Sequence, residues 1–430
     1  MREPIAKISR FFIHTDRGNI IFIVGVALIL LMLWSSFLGR IVGITEDTAT
    51  YFLAGEMFMR GYIDYLRTPI YPLICQAFLH CFGDSVFEAL AILNFLVFFV
   101  SIIILYRTIA LFAQRRIAKV ITTVLYAWSI PMYEVCMLIM TESINLCGII
   151  LLTYFLSLIY LGKGNARIIW LVSAILLFLV LLRPFNIVFI PISLLVIFAA
   201  YRRRQFTHLR TTGISFSSTL TVVLSYCIWF KITYGIFALS YVSSINQYFI
   251  CHSFDNSKNC GTLIETAASI GNKNYPVWVW TNRDSGIENM KFIICDEYQK
   301  FAYSQIDFFS RTCYHLFPHA DSIMDKTYPG TVQCLYLGTI YIILAMLFVL
   351  QLYLWFTNRR YCVDVIAGHL IICAVVIITT ILGSAHFDAP RLLMPMFPSL
   401  CLLAGLMFEQ FGIKIRNAMG KVVGSTHAAK

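Results

Sequence analysis

The sequence predicts an all-α polytopic membrane protein with about ten transmembrane helices, amphipathic helices in a first outer loop and one small extracytoplasmic domain. Three observations predict it. Of 430 residues, 59% are hydrophobic and only 13% are charged, against roughly one quarter charged in soluble domains. The apolar residues fall in blocks close to the about 20 residues that a helix needs to cross a bilayer. The basic residues gather at the ends of those blocks, so the net charge of +11 reads as a topology signal. No nucleic-acid partner is expected.

Residues 1–19 are polar and basic, with Arg2, Lys7, Arg10 and Arg17. The apolar run 19–38 is too long for a signal-peptide core and lacks a clear small-residue cleavage site, so it is expected to remain as the first span. Further spans are expected at about 85–106, 117–133, 142–162, 166–182, 184–201, 213–232, 333–356, 362–384 and 392–412. The chain then divides into a transmembrane core over 1–232, an extracytoplasmic segment over 233–332, C-terminal spans over 333–412 and a tail over 413–430.

Within the first outer loop, 39–84, apolar or small residues recur at 51, 52, 55, 58 and 59, with Glu56 and Arg60 at i,i+4 on the other side. That pattern predicts an amphipathic helix lying on the membrane surface. Gly61 is placed to end it. Pro69 and Pro72 then allow a rigid turn and a second short helix over about 72–82.

The basic residues fix a consistent topology. With the N-terminus inside, the inner segments hold Arg107, Arg115, Arg116, Lys119, Lys163, Arg167, Arg202, Arg203, Arg204, Arg210, Arg359, Arg360 and four basic residues of the tail. With the four at the N-terminus these are 20 of the 33 Lys and Arg. Ten spans with both ends inside satisfy that distribution, and residues 46–72, Glu142, Arg183 and Arg391 then face outward.

The long outer segment carries Cys251 and Cys260, and further on Cys295 and Cys313. Disulfides are permitted outside the cytoplasm: a Cys251–Cys260 bridge is expected and Cys295–Cys313 is a second candidate pair, with free thiols as the other reading. His252, His315 and His319 lack a compact ligand pattern, so no metal site is expected there. The other cysteines lie mostly in spans and read as small buried hydrophobes. No phosphate-binding glycine loop, dinucleotide fingerprint or nucleophile elbow is present.

The stretch that carries chemistry is Glu46-Asp47-Thr48-Ala49-Thr50-Tyr51, running on to Arg67-Thr68-Pro69-Ile70-Tyr71-Pro72. Two adjacent carboxylates beside a membrane are costly unless solvated or used. Asp47 fits a catalytic base and Arg67 a phosphate contact. Asp47 equally fits a helix cap, where its carboxylate meets free backbone N–H groups.

This pattern, Asp47-x-x-x-Tyr51, then Gly61, then Arg67-Thr-Pro-x-Tyr71-Pro72, resembles the first outer loop of the integral-membrane GT-C glycosyltransferases. The likeness is to the bacterial branch related to protein O-mannosyltransferases and the lipid A aminoarabinose transferase. Three further stretches fit in order: Met140-Thr141-Glu142-Ser143, Leu182-Arg183-Pro184, and Pro390-Arg391 through Pro395 to Pro398. The resemblance covers about 15–205 and 380–412 and leaves 235–332 unmatched.

The resemblance implies a sugar donor on a polyprenyl phosphate, an active site between the first outer loop and the membrane surface, and a base at Asp47. Glu46 beside it is the second acid. It does not reproduce a fixed Asp-x-Asp, which leaves divalent-cation dependence open. Arg67, Arg183 and Arg391 match positions suited to the donor phosphate, since a guanidinium fork fits phosphate oxygens. A lone arginine at a span end also snorkels to headgroups. Tyr51, Tyr71 and Glu142 are substrate-binding candidates that fit equally an interfacial anchor or a helix start.

Attack by an acceptor hydroxyl opposite the leaving phosphate would invert the anomeric centre. Glycan, lipid and protein acceptors all remain open. A flippase or transporter of polyprenyl-linked glycans and a glycan polymerase are the rival functions. The absence of an Asn-x-Ser/Thr sequon in the outer segment and of a C-terminal retention signal points to a bacterial inner membrane.

Overall fold

The computed structural model describes residues 15–38, 42–44, 46–64, 66–204, 206–234, 237–240, 242, 276–280, 290–294, 363–383 and 394–409. Within them the chain is a bundle of apolar helices. The first, α1 (Asp16–Leu38), starts where Thr15 Oγ1 accepts the Gly18 N–H at 2.9 Å. Its 23 residues reach about 35 Å, enough for a hydrocarbon core of about 30 Å.

Helix α2 (Glu46–Met59) is the amphipathic helix of the first loop. Its exposed side carries the expected Glu56–Arg60 pair. It ends in a Schellman motif: Tyr62 N–H donates to Met57 O, Gly61 N–H donates to Phe58 O, and Gly61 has φ +81°. After the proline turn comes α3 (Ile70–Phe82), two residues longer at its start than expected. Then Gly83, at φ +54°, separates it from α4 (Val86–Ala110). The apolar stretch Ile70–Ala110 is therefore not one straight span. Alone, α3 covers about 20 Å, while α4 is long enough to cross.

The segment expected as one span over 117–133 divides in two. Helix α5 (Arg116–Ala127) stops at Trp128, and α6 (Ile130–Met137) begins two residues on. Pro131 is the cause: it lacks an N–H and is tolerated only in a first helical turn. The bundle continues with α7 (Glu142–Tyr160), α8 (Ala166–Leu182), α9 (Phe189–Arg202) after a 3-10 turn at Pro184–Val188, and α10 (Leu209–Tyr234). The described chain closes with α11 (Val363–Gly383) and α12 (Met394–Glu409). One addition to the all-α expectation is a pair of strands, β1 (Pro276–Trp280) and β2 (Met290–Ile294), antiparallel with Pro276 opposite Ile294.

Among the described residues, five stretches are long and apolar enough to cross a membrane: Asp16–Ser36, Ile70–Ala110, Glu142–Tyr160, Pro184–Arg202 and Leu209–Tyr234. Ala166–Leu182, Gly368–Ile378 and Met394–Glu409 are shorter apolar helices. The span expected at 333–356 lies outside the described residues.

Contacts assign the helix ends to two sides. On one, Asp16 accepts from Tyr106 Oη at 2.7 Å and from Lys119 Nζ at 3.2 Å, while Arg116 donates to Asn19 Oδ1 at 3.0 and 2.6 Å. There too, Glu409 at the end of α12 accepts the N–H groups of Gln114 and Arg115, offering a carboxylate to the start of α5. The other side holds the start of α2, the turn before α7 and the end of α8. It is the side that holds the expected site residues of the first loop.

Candidate functional site

Two backbone pins bring that side together. Gly43 N–H donates to Met137 O at 2.8 Å and Ile139 N–H returns to Gly43 O at 3.1 Å, so the strand-like residue before α2 lies along the chain leading into α7. Thr48 Oγ1 donates to Ile139 O at 3.1 Å, and Asn94 Nδ2 on α4 donates to Leu138 O at 2.8 Å. The first turn of α2 is therefore seated beside the first turn of α7.

Asp47, Thr50 and Tyr51 are spaced i, i+3 and i+4, so α2 offers all three on one face. Arg67 lies across that face. Its Nη2 donates to Asp47 Oδ1 at 2.5 Å, Nε to Thr50 Oγ1 at 2.8 Å and Nη1 to Tyr51 Oη at 3.3 Å. The guanidinium carbon also sits 4.4 Å from the Tyr51 ring centroid, a cation–π distance. Asp47 is thus inside the first helical turn and paired with Arg67, and an acid at that position suits the helix dipole.

A second ion pair joins Arg183, at the end of α8, to Glu142, at the start of α7, at 3.0 Å. The two pairs differ in access. The Asp47 and Arg67 side chains are 29% and 13% exposed, whereas Glu142 is 3% exposed, so only the first pair has a carboxylate within reach of a ligand. Tyr51 lies between them, and the charges of Arg67, Asp47, Glu142 and Arg183 all act on its hydroxyl. Burial pushes that hydroxyl above its ordinary pKa, with Arg67 opposing. Tyr51 meets Tyr71 edge to face at 4.7 Å, within an apolar cluster with Ile139, Ile144 and Leu182.

Two buried polar atoms here have no hydrogen-bond partner among the described residues, Tyr71 Oη and Asn186 Oδ1. Asn186 Nδ2 donates to Asn145 Oδ1 at 2.7 Å and to Leu179 O at 2.8 Å, which ties the turn after Arg183 to α7.

Of the expected site residues, Asp47, Arg67, Tyr51, Tyr71, Glu142 and Arg183 come together at one end of the bundle. Glu46 opens α2, and its side chain lies outside the described residues, as do Arg391, Cys251, Cys260, Cys295 and Cys313. Cysteines 75, 136, 227, 373 and 401 are buried as expected, while Cys81 is exposed. The described residues hold no group of three His, Cys, Asp or Glu side chains able to bind a metal ion.

Two residues escape the motif reading. Thr50 is legible afterwards as the i+3 neighbour of Asp47. Asp64 is fully buried, and its Oδ1 accepts the N–H groups of Leu66 at 2.9 Å and Arg67 at 2.6 Å. An Asp whose side chain bonds the backbone two and three residues on is a turn signal. The chain matches no protein-family model and no curated protein.

Proposed function

We propose that this protein is an inverting membrane glycosyltransferase. It moves a sugar from a polyprenyl-phosphate donor to an acceptor hydroxyl at the outer face of a bacterial inner membrane, through a ten-span core with both ends inside and the 233–332 segment outside. One observation carries the reading: Asp47, partly open and held by Arg67, stands at the end of an apolar bundle, backed by a second, buried ion pair.

The chemistry follows from the bond broken. An acceptor hydroxyl is a weak nucleophile, and a carboxylate within hydrogen-bond reach takes its proton as it attacks. The departing phosphate is a good leaving group whose charge needs holding more than its oxygen needs a proton. In-line attack puts the entering hydroxyl and the leaving phosphate on opposite sides of the anomeric carbon. A base and a phosphate contact bonded to each other do not fit both sides at once. Arg67 therefore orients Asp47, and the donor phosphate falls to Arg183 and Arg391. Tyr51 and Thr50 fix the Arg67 fork. Glu142 holds Arg183 through Nη1 and ties α7 to α8, and a guanidinium bonded at one nitrogen has further N–H donors to offer a phosphate.

The test is transfer by the purified full chain in lipid, supplied with polyprenyl-phosphate sugars and a panel of hydroxyl acceptors. Asp47→Asn keeps the size and an acceptor oxygen for Arg67, and turnover is expected to fall by about 10²–10⁴. Near-normal turnover would remove Asp47 as the base. Movement of an intact polyprenyl-linked glycan across the bilayer would establish the flippase instead, and lengthening of such a glycan the polymerase.

A further inference from the structure

Arg67 sits between Gly61 and Ile70, where the described residues form neither helix nor strand, so something else must fix where its backbone lies. Asp64 supplies two of the ties, through the N–H groups of Leu66 and Arg67. A third comes from α10: Tyr234, its last residue, donates its hydroxyl to Ile63 O at 2.6 Å. Ile63, Asp64 and Tyr234 are all buried, and the Asp64 charge acts on the hydroxyls of both Tyr226 and Tyr234. A carboxylate taken out of water is costly unless its oxygens are bonded. Packing alone would be served more cheaply by an apolar side chain. What Asp64 adds is a fixed direction for the Arg67 backbone, from which the guanidinium reaches Thr50, Tyr51 and Asp47 together.

We propose that Asp64 is a positioning residue for the Asp47–Arg67 pair, locking the segment that carries Arg67 against the end of α10. This rests on the reading of that pair as the reacting centre. Small displacements matter at such a centre, since about 1 Å of misplacement can cost 10²-fold in rate.

The test uses the full chain in lipid with Asp64→Ala, Asp64→Asn and Tyr234→Phe. Two readouts need no substrate: amide hydrogen exchange over 61–68, and modification of Arg67 by phenylglyoxal. In Asp64→Ala, exchange at Leu66 and Arg67 is expected to rise by about tenfold, with α4 and α7 unchanged, and Arg67 to become more reactive. Asp64→Asn retains an acceptor oxygen and is expected to restore most of the protection. Tyr234→Phe is expected to loosen the same residues less, and it keeps the test open if Asp64→Ala does not fold. Turnover with a polyprenyl-phosphate sugar is then expected to fall at least about tenfold in Asp64→Ala and to recover in Asp64→Asn, with donor KM little changed. Unchanged exchange and Arg67 reactivity in both Asp64→Ala and Tyr234→Phe would overturn the proposal. So would a loosened loop with full turnover. Wild-type protein inactive on every donor would remove the functional reading, while exchange and Arg67 reactivity would still decide whether Asp64 holds Arg67.

Discussion

Glu142 and Arg183 form a charge pair that is largely out of water. The carboxylate is 3% exposed and the guanidinium 13%, so removing one partner strands the other away from water. Arg183→Met is expected to destabilise the protein by about 3–5 kcal/mol, the usual cost of breaking a buried pair. The double variant Glu142→Leu with Arg183→Met removes both charges and is expected to recover most of that loss. Denaturant titration in mixed micelles measures both. Equal instability of the single and double variants would show that the pair's worth lies elsewhere, in bonds Glu142 makes beyond Arg183. The motif reading found Asp47, Arg67, Glu142 and Arg183 because charge beside a membrane is conspicuous in sequence. It could not pair them, since each arginine was free to reach a phosphate, a headgroup or a carboxylate until the turns between helices were known.

Among the elements, α2 and α3 form the unit that presents the site, and they touch through Gly55. A Cβ at that position would lie 2.5 Å from the Pro72 carbonyl oxygen and 2.5 Å from Gln76 Cγ. The Gln76 side chain could move; the Pro72 carbonyl is backbone and could not without shifting α3. Beside it Gln76 Nε2 donates to Phe52 O at 2.7 Å, a buried tie between the two helices. Gly55→Ala is expected to cost about 1–3 kcal/mol through overpacking and to lower the thermal midpoint in detergent. Gly25→Ala, with nothing within 4 Å of the added methyl, is the control and should leave it unchanged. Equal midpoints for the two variants would contradict the close approach. Helix α2 was legible because its apolar spacing, its Glu56–Arg60 pair and Gly61 all agree. The break between α5 and α6 was masked by continuous hydrophobicity, although Pro131 marked it. The Gly43–Leu138 pairing was not legible at all, because it joins backbone to backbone and leaves no side-chain pattern.

At the scale of the whole molecule, the alternation of helix ends gives the sorted charges a physical meaning. Asp16, Tyr106, Arg116, Lys119 and Glu409 meet at one end of the bundle, and Arg203 stacks over Tyr160 at 4.9 Å where α7 and α9 finish. Asp47, Asp64, Glu142 and Arg183 gather where α2, α7 and α8 meet, and Tyr234 brings the end of α10 to the same place. The basic end is the one expected inside, because inner segments retain Lys and Arg. Two exposed positions mark the ends, Arg203 on one and Tyr62 on the other. With the native thiols replaced, Tyr62→Cys is expected to react with an impermeant maleimide in intact cells. Arg203→Cys should react only after the membrane is opened. The reverse pattern would invert the orientation and carry the proposed active site into the cytoplasm, where an outer-face donor could not reach it. Reaction of both cysteines from the same side would contradict the alternation of helices itself, since α8 and α9 cross the bundle from the Arg203 end to the Arg183 turn and back.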